Sequence, residues 1–321
     1  MIRRRVLLAA APVLAAPAAL RAQALFNRPV RFVLGFAAGG AGDITVRMLV
    51  PHMQQEIGQP IVVDNRPGAG GIVSAEAVAR AAPDGHTMYL LTTSNMAAPA
   101  FYRTLPFDVA RDFTPVGRMV WYDHVIAVNP QLPAANLTEL IALARARPGQ
   151  LNIGSIAVGN AQHLGVELFR AMANAPMTTV TYRSSPELIN ALATGEIQVA
   201  GELLAPTLPQ VAAGRIRLLA VTAPNRFPTL PDVPTSAESG LPDYVVRSWN
   251  AIAFPANTPR PQVEAMNRAI RRALGVPEIR TRLIELGGLP EPSSPEELGA
   301  MIPREVESWG RMAQIAGVEK Q

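Results

Sequence analysis

The sequence predicts an α/β protein of two Rossmann-like domains, joined by a two-strand hinge around a cleft. Three observations support this. Short apolar runs alternate with amphipathic stretches through both halves of the chain, the pattern of parallel strands covered by helices. The 321 residues exceed what a single core organises well. Two extended segments, residues 112–128 and 244–254, stand where the chain would cross between units.

The elements read in order. Residues 29–35 (PVRFVLG) form a strand, and 42–57 a helix that Pro51 should kink or end. A strand at 60–65, a helix at 70–81 and a strand at 87–92 complete a βαβαβ unit. In the second unit Asn136 caps a helix to Ala146, with Glu139 at its third position. Strands at 151–156, 178–183, 197–202 and 216–222 alternate with helices at 161–173, 186–193 and 206–213. Residues 223–243 are Pro-rich and polar, a surface loop. Three helices close the chain, the last opened by Ser294, Pro295 and Glu297. If both extended segments cross one gap, the domains are 25–122 with 250–321, and 123–249.

The first 24 residues read as an export signal: Arg3–Arg5, an Ala-rich apolar stretch broken by two prolines, then Ala22-Gln23-Ala24. The Arg pair leaves twin-arginine export open. Cleavage after Ala24 removes four Arg, so 29 basic residues become 25 against 25 acidic. The basic balance therefore gives no reason to expect nucleic acid. No later segment is built to cross a membrane, and with no Cys there is neither a disulfide framework nor a thiolate metal site. An exported chain without disulfides suits a bacterial periplasm.

The glycine-rich stretch GFAAGGAGDITVR (35–47) links the first strand to the first helix. It is either a tight structural turn or an anion site, since free N–H groups and a partial positive charge gather at a helix start. Its spacing matches no nucleotide fingerprint. Asp43 could cap the helix. Similar turns recur at 64–71, at Thr92–Asn95 and at Ser155–Asn160. Several such turns facing one cleft favour a small polar or anionic ligand. The four His are scattered, and neither H-E-x-x-H nor G-x-S-x-G occurs; no enzyme, metal or cofactor is expected. His163 reads as a structural hydrogen-bonding group. Glu202 could bind a ligand amine, pair with Arg183 or be a solvated strand end. Tyr182-Arg183-Ser184-Ser185 could donate to a ligand or merely cap a helix. Trp249 reads as core.

These stretches, with GQPIVVDNRPGAGG, AAPDGHTMYLL, LPFDVARDFTPV, QHLGVELF, RFPTLPDVPTSAESGLPDY and SWNAIAFPANTP, resemble the Bug family, the extracytoplasmic receptors of tripartite tricarboxylate transporters, over nearly all of the chain after its first 24 residues. The resemblance implies a type II periplasmic-binding-protein fold and no enzymatic activity. It implies a small carboxylate ligand (a di- or tricarboxylate, acidic amino acid or aromatic acid) and membrane transporter subunits as partners; a receptor feeding a sensor system and a secreted α/β hydrolase are the alternatives, and a monomer is the default. Carried over by position, the ligand contacts are Phe36, Ala37, Gly39, Gly40 and Asp43, with Thr93, Ser94 and Asn95, on the first domain. On the second they are Ser155, Ala157, Gly159 and Asn160, with Tyr182, Arg183 and Ser184. The chain departs from the family pattern at Gly35, at Thr181, Arg183 and Ser184, and at Gly201-Glu202, where the far part of a ligand should lie. Glu202 is therefore expected to meet a distal amine or hydroxyl.

Overall fold

The computed structural model describes residues 25–156 and 158–320. The expected signal, residues 1–24, lies outside them. The elements are β1 (Val30–Leu34), α1 (Ala41–Ile57), β2 (Ile61–Asn65), α2 (Ile72–Ala79), β3 (Thr87–Thr92), α3 (Thr93–Phe101), β4 (Phe113–Val128), α4 (Leu137–Ala146), β5 (Asn152–Ile156), α5 (Ala161–Met172), β6 (Thr178–Tyr182), α6 (Ser185–Thr194), β7 (Val199–Leu203), α7 (Leu204–Ala212), β8 (Arg217–Val221), β9 (Arg247–Pro255), α8 (Arg260–Gly275), α9 (Pro277–Glu285), β10 (Gly288–Pro290) and α10 (Pro295–Ile315).

Among the described residues the strands form one ten-stranded sheet, in order β2-β1-β3-β9-β4-β7-β5-β6, with β8 and β10 also on β4. The β1–β3 and β5–β7 ladders are parallel, as the alternating pattern predicts. The middle is antiparallel: β9 lies between β3 and β4. The first part of β4 pairs with β9 and β10, and its last five residues with β7 and β8. Both expected crossing segments thus run side by side through the centre.

Two of three apolar clusters follow the same division. Phe32, Leu34, Leu49, Met53, Ile252 and Met266 bury one face of the first half under α1 and α8. Leu188, Ile197, Leu218 and Phe227 do the same for the second half. A third cluster, holding Tyr89, Trp249, Phe169 and Trp309, runs through both. Trp249 is fully buried, and its indole N–H donates to Glu305 at 3.1 Å.

Two details differ from the sequence reading. Helix α1 continues past Pro51 to Ile57; Leu49, Val50 and Met53 are buried on its inner face, and that packing outweighs one missing hydrogen bond. The turn at Thr92–Asn95 opens a helix, α3, that is buried on nearly every side.

His124 sits at the crossing, wholly buried, with Nε2 2.7 Å from Ser248 Oγ. Burial pushes its imidazole down from 6.5 to about 3. A histidine held neutral binds fewer protons folded than unfolded, so its contribution is complete above about 6.5 and drains away as pH falls toward 3. Denaturant titrations across that window should show the wild type losing more stability than His124→Gln; parallel losses would count against it.

Candidate functional site

The first wall of the site grows from the end of β1. Gly35 has no room for a side chain: a Cβ there would lie 2.6 Å from Ser74 Oγ and 2.8 Å from Gly71 Cα. The following loop is held from behind. Gly39, at φ +87°, donates its N–H to Asp43 Oδ2 at 2.9 Å. Asn65 Nδ2 donates to Phe36 O at 3.1 Å and to Asp43 Oδ1 at 3.0 Å. Arg47 Nε donates to both Asp43 oxygens. Burial pushes the Asp43 carboxyl up, but Arg47, the Gly39 N–H and Asn65 together hold it below the usual range. The loop ends at Gly40, which caps α1 without any side-chain hydrogen bond. The first-turn N–H groups therefore have no side-chain acceptor.

The facing wall comes from the second half. Ser184, Ser185 and Pro186 open α6, and Leu203, Ala205 and Pro206 open α7, which again has no side-chain cap. The remaining side is Tyr122 of β4 with Leu283 and Leu286 at the end of α9 and Gly288 of β10. Tyr122 OH lies 2.6 Å from Thr45 Oγ1, and burial pushes its phenol up to about 12, so it stays protonated. Together these segments enclose a cavity of about 540 Å³. Three helix starts edge it, each with a partial positive charge. No Lys, Arg, His, Asp or Glu is among its described lining residues. A shallower hollow of about 600 Å³ lies apart, between residues 105–112 and α10, and touches none of these loops.

The two halves also touch. A Cβ on Gly70 would come within 4.0 Å of Gly159 O. Gly287, at φ +80°, rests on Ala205, where a Cβ would lie 2.7 Å from that residue's Cα.

The residues singled out from the sequence fall into three groups. Phe36, Ala37, Gly39, Gly40 and Ser184 line the cavity. Others are occupied in holding loops. Asp43 braces the glycine loop, and Thr93 Oγ1 accepts the Trp249 N–H at 2.8 Å. Asn95 accepts the Thr92 N–H and donates to Tyr89 OH. Ser155 Oγ lies 3.0 Å from His163 Nδ1, and Asn160 caps α5 through the His163 N–H. Ser94 is buried, and Gly159 backs onto the Tyr102 hydroxyl. A third group points elsewhere. Tyr182 OH donates to Glu196 at 3.0 Å, and Arg183 is exposed. Ala157 lies outside the described residues. Glu202 is neither solvated nor paired with Arg183. It is fully buried, accepting from Ser185 Oγ at 2.9 Å, Leu203 N–H at 2.7 Å and Gln162 Nε2 at 3.4 Å. Burial pushes its carboxyl up, against these three donors.

Sequence reasoning missed Tyr122 and the tail residues Leu283, Leu286 and Gly288. No local motif marks them, because only the return of the chain brings them to the cavity.

Residues 45–318 match the family model described as the tripartite tricarboxylate transporter family receptor. The chain belongs to that family. A protein of the tcbD-tcbE intergenic region of a Pseudomonas species is 35% identical over 97% of this chain and 93% of its own. BugT of Bordetella pertussis is 31% identical over 91% and 90%. Two solved structures from Rhodopseudomonas palustris share the fold. Rpa4515 with adipate has a TM-score of 0.86, at 34% identity over 92% of this receptor and 99% of its own chain. MatC with bound malate has a TM-score of 0.82, at 31% identity over 89% and 99%. The expected Bug-type receptor and its periplasmic-binding-protein fold are therefore established, and this is a solute-binding receptor rather than an enzyme.

Proposed function

We propose that this receptor captures a small carboxylate in the cavity between its halves and delivers it, from the periplasm, to the membrane subunits of a tripartite transporter. The observation that carries this is the convergence of three helix starts, two of them without side-chain caps, on a cavity with no charged residue among its described lining. Such a site holds an anion through N–H groups and dipoles, leaving no cation to be desolvated. Relatives with adipate and malate support the same reading. In this reading the halves, 25–122 with 250–321 and 123–249, close by rotation about β4 and β9, and the receptor acts as a monomer. Among the described residues no helix is long and apolar enough to cross a membrane.

Thermal melts of the purified receptor with a panel of mono-, di- and tricarboxylates test this. A ligand at a hundred times its Kd should add about 2.7 kcal/mol. A panel in which no carboxylate shifts the melt would overturn the proposal.

A further inference from the structure

The donors of the cavity are confined to its helix starts: the first turns of α1 and α7, and the Ser184 and Ser185 hydroxyls that open α6. These groups suit carboxylate oxygens on either wall. Between them the surface changes. Apart from the two serines, the described lining carries polar side-chain atoms only on Thr45 and Tyr122. Both residues are 3% exposed, and their hydroxyls are bonded to each other at 2.6 Å. What faces the space is hydrocarbon: Phe36, Ile44, Leu203, Leu286 and the rings of Pro186 and Pro206. Ile44 stands on the first turn of α1, beside the N–H donors, yet it is 41% exposed. A large aliphatic side chain left open inside a cavity marks a surface for an apolar ligand group.

An amine on the ligand would meet no counter-charge here. No Asp or Glu is among the described lining residues. Asp43 is turned to Gly39, Asn65 and Arg47, and Glu202 is 0% exposed behind Ser185. A hydroxyl on the ligand's body would lose its water and find no replacement, a cost that grows with each hydroxyl. Hydrocarbon in the same place gains by burial. The cavity of about 540 Å³ has the room, since pockets of roughly 300–1,000 Å³ enclose drug-sized ligands.

We propose that the receptor selects carboxylates with a bare hydrocarbon body, whether they carry one carboxylate or two, and discriminates against hydroxyl or ammonium groups along that body. Ile44 and Leu286 are the specificity-determining contacts. The inference rests on the reading of the cavity as a carboxylate site.

Two pairs of six-carbon probes separate the body from the ends: hexanoate against gluconate, and adipate against galactarate, titrated calorimetrically at neutral pH. Members of a pair share their carboxylates and differ only in hydroxyls. In a pair that binds, the hydrocarbon member should be about tenfold or more tighter. Ile44→Asn and Leu286→Asn should each shrink that ratio by about threefold or more. Ile44 is exposed, so its replacement spares the core, and a melt of each free variant checks folding. A hydroxylated member that binds as well as its partner or better overturns the inference, as does an unchanged ratio in both folded variants. The tightest binder of the wider panel should also have a bare hydrocarbon body; one bearing hydroxyl or ammonium groups there overturns it too. If no probe and no panel carboxylate binds, it is the carboxylate reading itself that fails.

Discussion

Asp43→Ala should weaken ligand capture by about tenfold or more while leaving the fold in place. The side chain is only 5% exposed and does not line the cavity; it accepts from Gly39, Asn65 and Arg47. Its loss removes the acceptor of the Gly39 N–H and of one Asn65 amide N–H, leaving Asn65 only its bond to Phe36 O behind the loop. Hydrogen bonds to a charged group are worth roughly 1.5–3 kcal/mol, so the variant should lose about 3 kcal/mol of stability. The loop then pays an ordering cost on every binding event, which should weaken affinity by tenfold or more. Asp43→Asn retains one acceptor oxygen and should fall between. Calorimetric titration alongside a denaturant melt checks both effects. Wild-type affinity in Asp43→Ala would mean that the loop does not need its brace.

Asp123→Ala should be the most destabilising single change at the crossing. Asp123 lies opposite Arg247 in the β4–β9 ladder and pairs with it at 2.7 Å, the carboxylate side chain 1% exposed. The Arg247 and Arg118 guanidinium groups both lie over Trp121, 4.6 and 4.7 Å from the ring centre. Without Asp123, a partly buried cation loses its counter-charge beside another cation. Breaking such a pair costs about 3–5 kcal/mol, or roughly 10 °C in Tm. The double change Asp123→Leu with Arg247→Met should recover at least half, because it removes both charges. A single variant within about 1 kcal/mol of wild type would show the pair to be dispensable.

The outer strands of both halves were legible because their alternation with amphipathic helices is strong. The caps at Asn136 and Ser294 were legible from chemistry alone, and both form: each accepts the N–H of the third helical residue. Helix α3 was not legible. Its sequence, TSNMAAPAF, is buried on nearly all sides, so it has no polar face to set a 3.6-residue rhythm, and Pro99 reads as a breaker. Strand β10 is three residues ending in Pro290 and exists because β4 offers it an edge. The glycine loop lies beside the cavity, though its own residues left a tight turn and an anion site as alternatives. The direction of Glu202 was not legible, since its partners Gln162 and Ser185 come from two other elements.

The strand order also bears on how the chain acquires its shape during synthesis. Strand β9 occupies the middle of the sheet, yet it is nearly the last strand made: Tyr89 must wait for Ala253, and Phe113 for Pro255. Until residue 255 emerges from the ribosome, β3 and the first part of β4 have no common neighbour. A nascent chain therefore cannot complete its first half and then start its second, as a vectorially folding protein would. Its slow step is a long-range closure that draws the beginning and end of the polypeptide together.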